Sequence, residues 1–153
     1  MLVSRLRLAT AAAVFAFTAG CSGAIDAPPS LVGTYLLHTA AGQPAPALIH
    51  TAVDPSHAPI DVYVVADTLQ ILDGGRYIQR GHLEAYSESR LVSSSRWSDH
   101  GVVTVDGNTL HFDSNYLQNI AFNGTVGAGR MLSVTQNLAT EGTPDLYLFT
   151  PAP

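Results

Sequence analysis

Six histidines are the first side chains in this sequence that could do chemistry, because neutral imidazole is a common metal ligand. None of them occurs as His-x-His, His-x3-His or His-Glu-x-x-His. On a strand, ligands on one face stand two residues apart, and no two histidines have that spacing. His50 and His57 share a proline-rich segment and could meet there. We expect structural or solvated histidines and no metal site; the six are His38, His50, His57, His82, His100 and His111.

Catalysis by a serine or by a pair of carboxylates is also disfavoured. The chain has no Gly-x-Ser-x-Gly motif, and the serines at 93–95 are typical of a polar strand. Asp99 and His100 are adjacent, which puts them on opposite faces of a strand or, as we expect, in a turn. Glu84 and Glu88 would lie ~13 Å apart along a strand, which is too far for a glycosidase pair. We therefore predict that the protein is not an enzyme and uses no cofactor.

The charge pattern excludes several classes of protein. Charged residues make up only 12% of the chain, and the seven cations, all arginine, face twelve carboxylates. Collagen, a coiled coil and a charge-rich disordered chain do not have this composition. The formal net charge of -5 argues against nucleic-acid binding, which needs a basic face. The single cysteine excludes an intramolecular disulfide and a zinc site built from cysteines.

The N-terminus has the pattern of an export signal. Arg5 and Arg7 precede an apolar run over 8–17, which is too short to span a bilayer as a helix. The tetrad Thr18-Ala19-Gly20-Cys21 resembles a bacterial lipobox. The resemblance implies a signal peptide over 1–20, a lipidated Cys21 and anchoring in the bacterial cell envelope. Ser22 implies the outer membrane, facing the periplasm, in a cell that has one.

The rest of the chain predicts one all-β domain. Residues 21–30 are a short tether with two prolines, and residues 31–153 contain closely spaced strand patterns separated by turn residues. Gly42 to Pro59 holds four prolines and is expected to be a long loop that could contain a short helical turn at Ala45 to His50. The expected strands cover 31–39, 62–72, 76–87, 91–99, 102–105, 109–113, 119–126, 130–136 and 145–150.

The order of these patterns predicts an antiparallel, up-and-down meander. Turn residues at Asp73-Gly74-Gly75, Asp106-Gly107-Asn108 and Gly127-Ala128-Gly129 would join neighbouring strands as hairpins. A meander of eight or nine strands hides its edges most easily by closing into a barrel. No segment has a convincing helical period.

Several short motifs resemble those of small bacterial lipocalin-like proteins, which are calycin-type β-barrels. They are the opening Leu31-Val32-Gly33-Thr34-Tyr35, the run from Thr68 to Tyr77 through Asp73-Gly74-Gly75, Trp97 in a middle strand, and Asp106 to Leu110 with Phe112. The resemblance covers about 31–149. It implies a closed antiparallel barrel that can have an apolar cavity, and it implies no particular ligand.

Ten aromatic residues of the mature chain could either fill such a barrel or line a pocket in it. Gly81 and Gly124, with Ala85 and Ala121, would leave room inside if they face inward. The long proline-rich segment could act as a lid. The candidate ligand-binding residues are Tyr35, Tyr77, Trp97, Phe112 and Phe122.

Two functions remain open at this point. The first is an envelope-anchored barrel that binds a small apolar or amphipathic ligand. The second is a protein-interaction module, such as an inhibitor or an envelope scaffold, with a packed core and no ligand. The expected partners are the membrane, through the lipid anchor, and a small apolar molecule.

Overall fold

The computed structural model of the protein describes residues 25–26, 29–115, 121–138 and 144–153. The predicted signal peptide and Cys21 lie outside these residues. The described chain forms eleven β-strands and two short 3-10 helices, Pro29–Leu31 and Ala128–Arg130. None of the helices found there is long and apolar enough to cross a membrane. The strands are β1 Ile25–Asp26, β2 Gly33–Ala40, β3 Gln43–Pro44, β4 Ala47–Val53, β5 Pro59–Leu72, β6 Arg76–Ser87, β7 Arg90–Asp106, β8 Thr109–Ser114, β9 Ala121–Val126, β10 Leu132–Gln136 and β11 Asp145–Pro151.

Eight of these strands close into an antiparallel ring. From β5 to β11 each strand pairs with the next along the chain, and β2 pairs with both β5 and β11. Tyr35, in β2, is opposite Leu69 on one side and Pro151 on the other. The predicted all-β, up-and-down barrel is therefore confirmed, with eight strands in the ring.

The prediction of a loop from Gly42 to Pro59 is wrong, and so is the prediction of a helical turn inside it. The segment forms β3 and β4, and β4 pairs with the first half of β5. The prolines stand at the ends of these strands or between them, so the backbone N–H groups of Ala47–Val53 remain available for pairing. Asp54 closes the β4–β5 connection, because its Oδ1 accepts hydrogen bonds from the N–H of Ser56 (2.8 Å) and of Ala58 (2.9 Å).

The predicted turn at Asp99 and His100 is also wrong. Both residues lie within the continuous strand β7, with Asp99 buried inside the barrel and His100 exposed outside it. Polar residues suggested a turn, but Asp99 has hydrogen-bond partners inside the barrel that make a strand position acceptable. The predicted hairpin turns at Asp73-Gly74-Gly75 and at Gly107 are confirmed, with positive φ at Gly74 (72°), Gly75 (65°) and Gly107 (60°).

The strands β4 to β7 extend beyond the ring at one end. The second half of β5 pairs with β2, whereas its first half pairs with β4. The β6–β7 hairpin continues alongside this first half to a turn at Glu88 and Ser89, both with positive φ. The result is a four-stranded extension next to the barrel mouth.

The opposite end of the barrel is closed by Arg130. Its Nη2 donates hydrogen bonds to the Val32 carbonyl (2.9 Å) and to the Tyr35 hydroxyl (3.0 Å). The guanidinium carbon lies 5.6 Å from the centroid of the Tyr35 ring, within range of a cation–π contact. The Tyr35 hydroxyl donates to the Leu31 carbonyl at 2.8 Å. These contacts tie the start of β2 to the β9–β10 connection.

Aromatic side chains fill the middle of the barrel. The rings of Phe112 and Phe122 stack with centroids 4.6 Å apart, and Tyr77 meets Phe112 edge-on at 5.1 Å. Gly124 provides space for this packing, because a Cβ there would lie 2.9 Å from the Ser133 carbonyl oxygen and 3.5 Å from the Phe112 ring.

Gly81 allows the Trp97 indole to lie directly against the barrel wall. A Cβ at Gly81 would lie 2.3 Å from Trp97 Nε1, closer than real Cβ contacts. The inward glycines therefore accommodate neighbouring side chains. Ala121 is exposed and Ala85 is half-buried.

Replacing Gly81 with alanine should displace the Trp97 indole. We expect Gly81→Ala to lower the free energy of unfolding by about 1–3 kcal/mol, the usual cost of overpacking. The change should also alter the fluorescence of the protein, because Trp97 is its single tryptophan. Urea unfolding and emission spectra measure both effects. Gly127→Ala is the control, since a Cβ there lies 3.6 Å from its nearest neighbour. Equal stability and equal emission in the two variants would show that Trp97 does not depend on Gly81.

Candidate functional site

A cavity of about 150 Å³ lies at the barrel mouth, at the end away from Arg130. Trp97 and Phe122 contribute aromatic walls, and Leu138 contributes an aliphatic one. Four buried polar residues line it, from β6, β7, β8 and β10 of the ring; they are Gln79, Asp99, Ser114 and Gln136. The site thus combines an apolar wall with a polar floor.

A second space of about 200 Å³ adjoins this cavity. It shares Trp97, Asp99 and Leu138 with the first and adds Leu83 and Ser95 from the strand extension. Together the two spaces, which we call the mouth cavity, run from the polar floor out along the inner side of the extension.

Asp99 is the best-connected polar group of the floor. Its Oδ2 accepts a hydrogen bond from the Tyr77 hydroxyl at 2.7 Å. Its Oδ1 accepts from the Ser114 hydroxyl at 2.6 Å and from the His100 backbone N–H at 2.8 Å. Burial, followed by the hydrogen bond to Asp99, raises the pKa of Tyr77, which therefore stays protonated as a donor. Three donors compensate for the loss of water around Asp99.

Asp67 lies deeper, behind Gln79. The Gln79 amide donates to Asp67 Oδ2 at 2.7 Å, while Oδ1 has no hydrogen-bond partner in the described part of the chain. Burial raises the pKa of Asp67 to about 7, and the hydrogen bond from Gln79 opposes that rise only in part. Burial raises the pKa of Tyr147, and the negative charges of Asp145 and then Asp67 add to that rise.

Two side chains that line the mouth cavity carry N–H donors for which the described residues provide no partner. Gln136 is 6% exposed, and its Nε2 has no hydrogen-bond partner among the residues that the structure describes. The same holds for Trp97 Nε1. Unpaired buried polar atoms are rare in native proteins because each costs free energy. A hydrogen-bond acceptor that reached either donor would remove this cost.

The structure divides the predicted ligand-binding residues into two groups. Trp97 and Phe122 line the mouth cavity. Tyr35, Tyr77 and Phe112 are fully buried in the packed interior, and Tyr77 reaches the site only through its hydrogen bond to Asp99. The proline-rich segment from 42 to 59 was expected to act as a lid. It forms strands instead, and none of its residues is among the described residues that line the mouth cavity.

The polar floor was not predicted from the sequence. The available signal was the alternation along β6 and β10, where Gln79 follows Tyr77 and Gln136 follows Val134 on the inward face. A glutamine in phase with buried apolar residues indicates an inward polar group. Recognising the site would also have required knowing which strands face one another across the barrel.

The histidines do not form a metal site in the part of the chain that is described. No group of three or more His, Cys, Asp or Glu residues that could hold a metal ion is found there. His82 and His111, on the outer wall, bind neighbouring side chains: Ser94 lies 2.9 Å from His82 Nε2, and Asn123 lies 2.8 Å from His111 Nδ1.

A separate groove of about 390 Å³ lies on the outer face of the extension. Tyr63 and Tyr86 meet edge-on there with ring centroids 5.8 Å apart, and Val65 lies beside them. The Tyr86 hydroxyl donates to Glu84 at 2.6 Å. None of the buried polar atoms that lack a partner in the described chain belongs to a residue of this groove, so the mouth cavity is the stronger candidate site.

The raised pKa of Asp67 should make the stability of the protein depend on pH. Between pH 4 and 7 the folded protein keeps a proton on Asp67 that the unfolded chain releases, because the pKa is about 7 when folded and 3.8 in the reference state. Stability should therefore fall as pH rises through this window, by on the order of 3 kcal/mol. Asp67→Asn keeps a neutral group that can bind Gln79, so it should remove this dependence.

Urea unfolding at pH 5 and pH 8 measures the effect. Asp73→Asn, in the exposed β5–β6 turn, is the matched control and should keep the pH dependence of the unsubstituted protein. A pH slope that is the same in Asp67→Asn as in the unsubstituted protein would show that Asp67 is not the responsible group.

No protein-family model matches the sequence, and no curated protein matches it. Among solved structures, a mutant of the REP1-NXSQ fatty acid transporter is similar to this chain. The similarity covers 82% of this chain and 100% of that one, with 12% sequence identity and a TM-score of 0.38.

Proposed function

We propose that the protein is an envelope-anchored, lipocalin-like barrel that binds a small apolar or amphipathic molecule in the mouth cavity. The observation that carries this proposal is the contrast between the two ends of the barrel. At the closed end Arg130 and Tyr35 bind each other and the backbone. At the mouth, Gln136 and Trp97 line the cavity, and each has a buried N–H donor with no hydrogen-bond partner among the described residues.

The size and walls of the cavity fit a small molecule. A cavity of about 150 Å³ is large enough for a benzene-sized group. Trp97, Phe122 and Leu138 would remove apolar surface of the ligand from water, which contributes roughly 25 cal/mol per Å². The adjoining space along the extension gives an alkyl chain a path outward.

The packed aromatic core supports this role without contacting the ligand. Tyr35, Tyr77 and Phe112 fix the positions of the strands, and Tyr77 holds Asp99 in place. Such a rigid frame lowers the entropic cost of binding.

Binding should be visible through the single tryptophan, Trp97. We expect 1-octanol to change the emission of the full chain saturably, because the alcohol would lie against the indole. Leu138→Phe reduces the space and should weaken the apparent affinity by about tenfold. Val65→Phe is the matched control, since it fills the outer groove instead.

A response that never saturates, or equal weakening by the two variants, would contradict binding in the mouth cavity. It would favour the interaction module instead. The apolar residues at the far end of the extension would then be its first candidate surface; they are Val53, Leu91 and Val92, with 69%, 48% and 51% of their surface exposed.

We also propose that lipid on Cys21 attaches the protein to the membrane. The support is the lipobox-like tetrad, together with the fact that Cys21 is the sole cysteine. The mature chain would carry five arginines and twelve carboxylates, so an anionic membrane surface would repel it. Attachment would therefore depend on the acyl chains.

Cys21→Ser should release the protein from the membrane. Detergent phase partitioning of the expressed full chain measures this, and we expect the unsubstituted protein in the detergent phase and Cys21→Ser in the aqueous phase. Ser22→Ala, which keeps the cysteine, should partition like the unsubstituted protein. Detergent-phase recovery of Cys21→Ser would show that lipid on this residue is not the anchor.

A further inference from the structure

We propose that the mouth cavity selects a neutral molecule with a hydroxyl group on an apolar body and rejects the corresponding carboxylate. This inference rests on the proposed function, because it specifies the class of ligand that the same cavity takes. Three features of the polar floor lead to it.

Gln136 requires an acceptor. Its side chain is 6% exposed and lines the cavity, and Nε2 has no partner among the described residues. A buried donor without a partner loses its hydrogen bond to water and gains nothing in return. Trp97 Nε1, on another lining residue, is in the same condition. A ligand oxygen in the cavity would restore a hydrogen bond to Gln136.

Asp99 has room for one more donor. Its Oδ1 accepts two hydrogen bonds, whereas Oδ2 accepts one, from Tyr77, among the bonds formed by the described residues. A carboxylate oxygen has two lone pairs, so Oδ2 can accept a second. Asp99 and Gln136 line the same 150 Å³ cavity. A hydroxyl group meets both needs, since its hydrogen can go to Asp99 and its oxygen can accept from Gln136.

The charge of the floor opposes an anionic ligand. Asp99 lines the cavity and Asp67 lies behind Gln79, whereas no arginine is among the described lining residues and the sequence has no lysine. Arg130 is occupied at the closed end. A carboxylate ligand would lose its hydration beside a like charge without a compensating cation.

Three probes with the same chain length test this selection. They are 1-octanol, its isomer 1-methoxyheptane, which accepts but cannot donate a hydrogen bond, and octanoate. Each is titrated into the full chain at pH 7.5 while Trp97 emission is followed. We expect 1-octanol to bind most tightly, the ether about fivefold more weakly and octanoate at least about thirtyfold more weakly.

The preference of the cavity for 1-octanol over octanoate should persist in 0.5 M NaCl. Salt screens repulsion from the acidic surface, but it screens charges inside a cavity much less. Loss of the preference in high salt would show that the outer surface, and not Asp99, excludes the anion.

Gln136→Leu separates the ligand contact from a structural role. Leucine removes the unpaired donor, so the fold should be at least as stable, while the affinity for 1-octanol should fall by about tenfold. Gln43→Leu, at an exposed glutamine of β3, is the matched control and should change neither quantity. An unchanged 1-octanol affinity in Gln136→Leu would overturn the assignment of Gln136.

The outcomes distinguish the two proposals. If octanoate or the ether binds within threefold of 1-octanol, the hydroxyl selection is overturned while binding in the mouth cavity stands. If none of the three probes gives a saturable response, both proposals are overturned.

Discussion

The barrel depends on β2 pairing along both of its edges. One edge binds the second half of β5, and the other binds β11 at the end of the chain. Without these two ladders the remaining strands would form an open sheet with unpaired N–H and C=O groups on both edges. Arg130 strengthens this closure, because it binds the start of β2 through Val32 and Tyr35.

Because the barrel is closed, each strand has one face that points inward. The character of the inward side chains changes along the barrel axis. The closed end and the middle hold aromatic and aliphatic side chains in contact with one another. Towards the mouth the inward positions become polar, with Asp67, Gln79, Asp99, Ser114 and Gln136 all buried. Some of these groups satisfy each other, as Tyr77 and Ser114 do for Asp99. Asp67 and Gln136 each have a polar atom with no partner in the described part of the chain, and this incomplete pairing distinguishes the mouth as a candidate site.

The parts of the fold that could be predicted from the sequence depend on local geometry. Asp73-Gly74-Gly75 marks a hairpin because glycine adopts positive φ at little cost, and both glycines do so here. Leu110 and Phe112 alternate with polar neighbours, which indicates a strand with one buried face, and both are fully buried. These signals extend over a few residues and need no knowledge of distant partners.

The parts that failed depend on contacts between distant residues. Asp99 was interpreted as a turn residue because it is polar. Its partner Tyr77 is 22 positions away in sequence, so the local pattern could not indicate that Asp99 is buried in a strand. Trp97 and Phe122 could be predicted as candidates from their aromatic character, but the glutamines of the floor could not, since their significance depends on the cavity beside them. Gly81 was expected to leave space, and the Trp97 indole occupies that space because β6 and β7 place the two residues opposite each other.

The most direct test of the account is native mass spectrometry of the full chain, purified gently from its own cells. The central claim is that the mouth cavity holds a small molecule. We expect a noncovalent mass in addition to that of the polypeptide. Denaturation should remove this mass, and its composition should be that of a neutral compound with oxygen. A native mass identical to the denatured mass would contradict the claim and would indicate that the barrel acts through its surface.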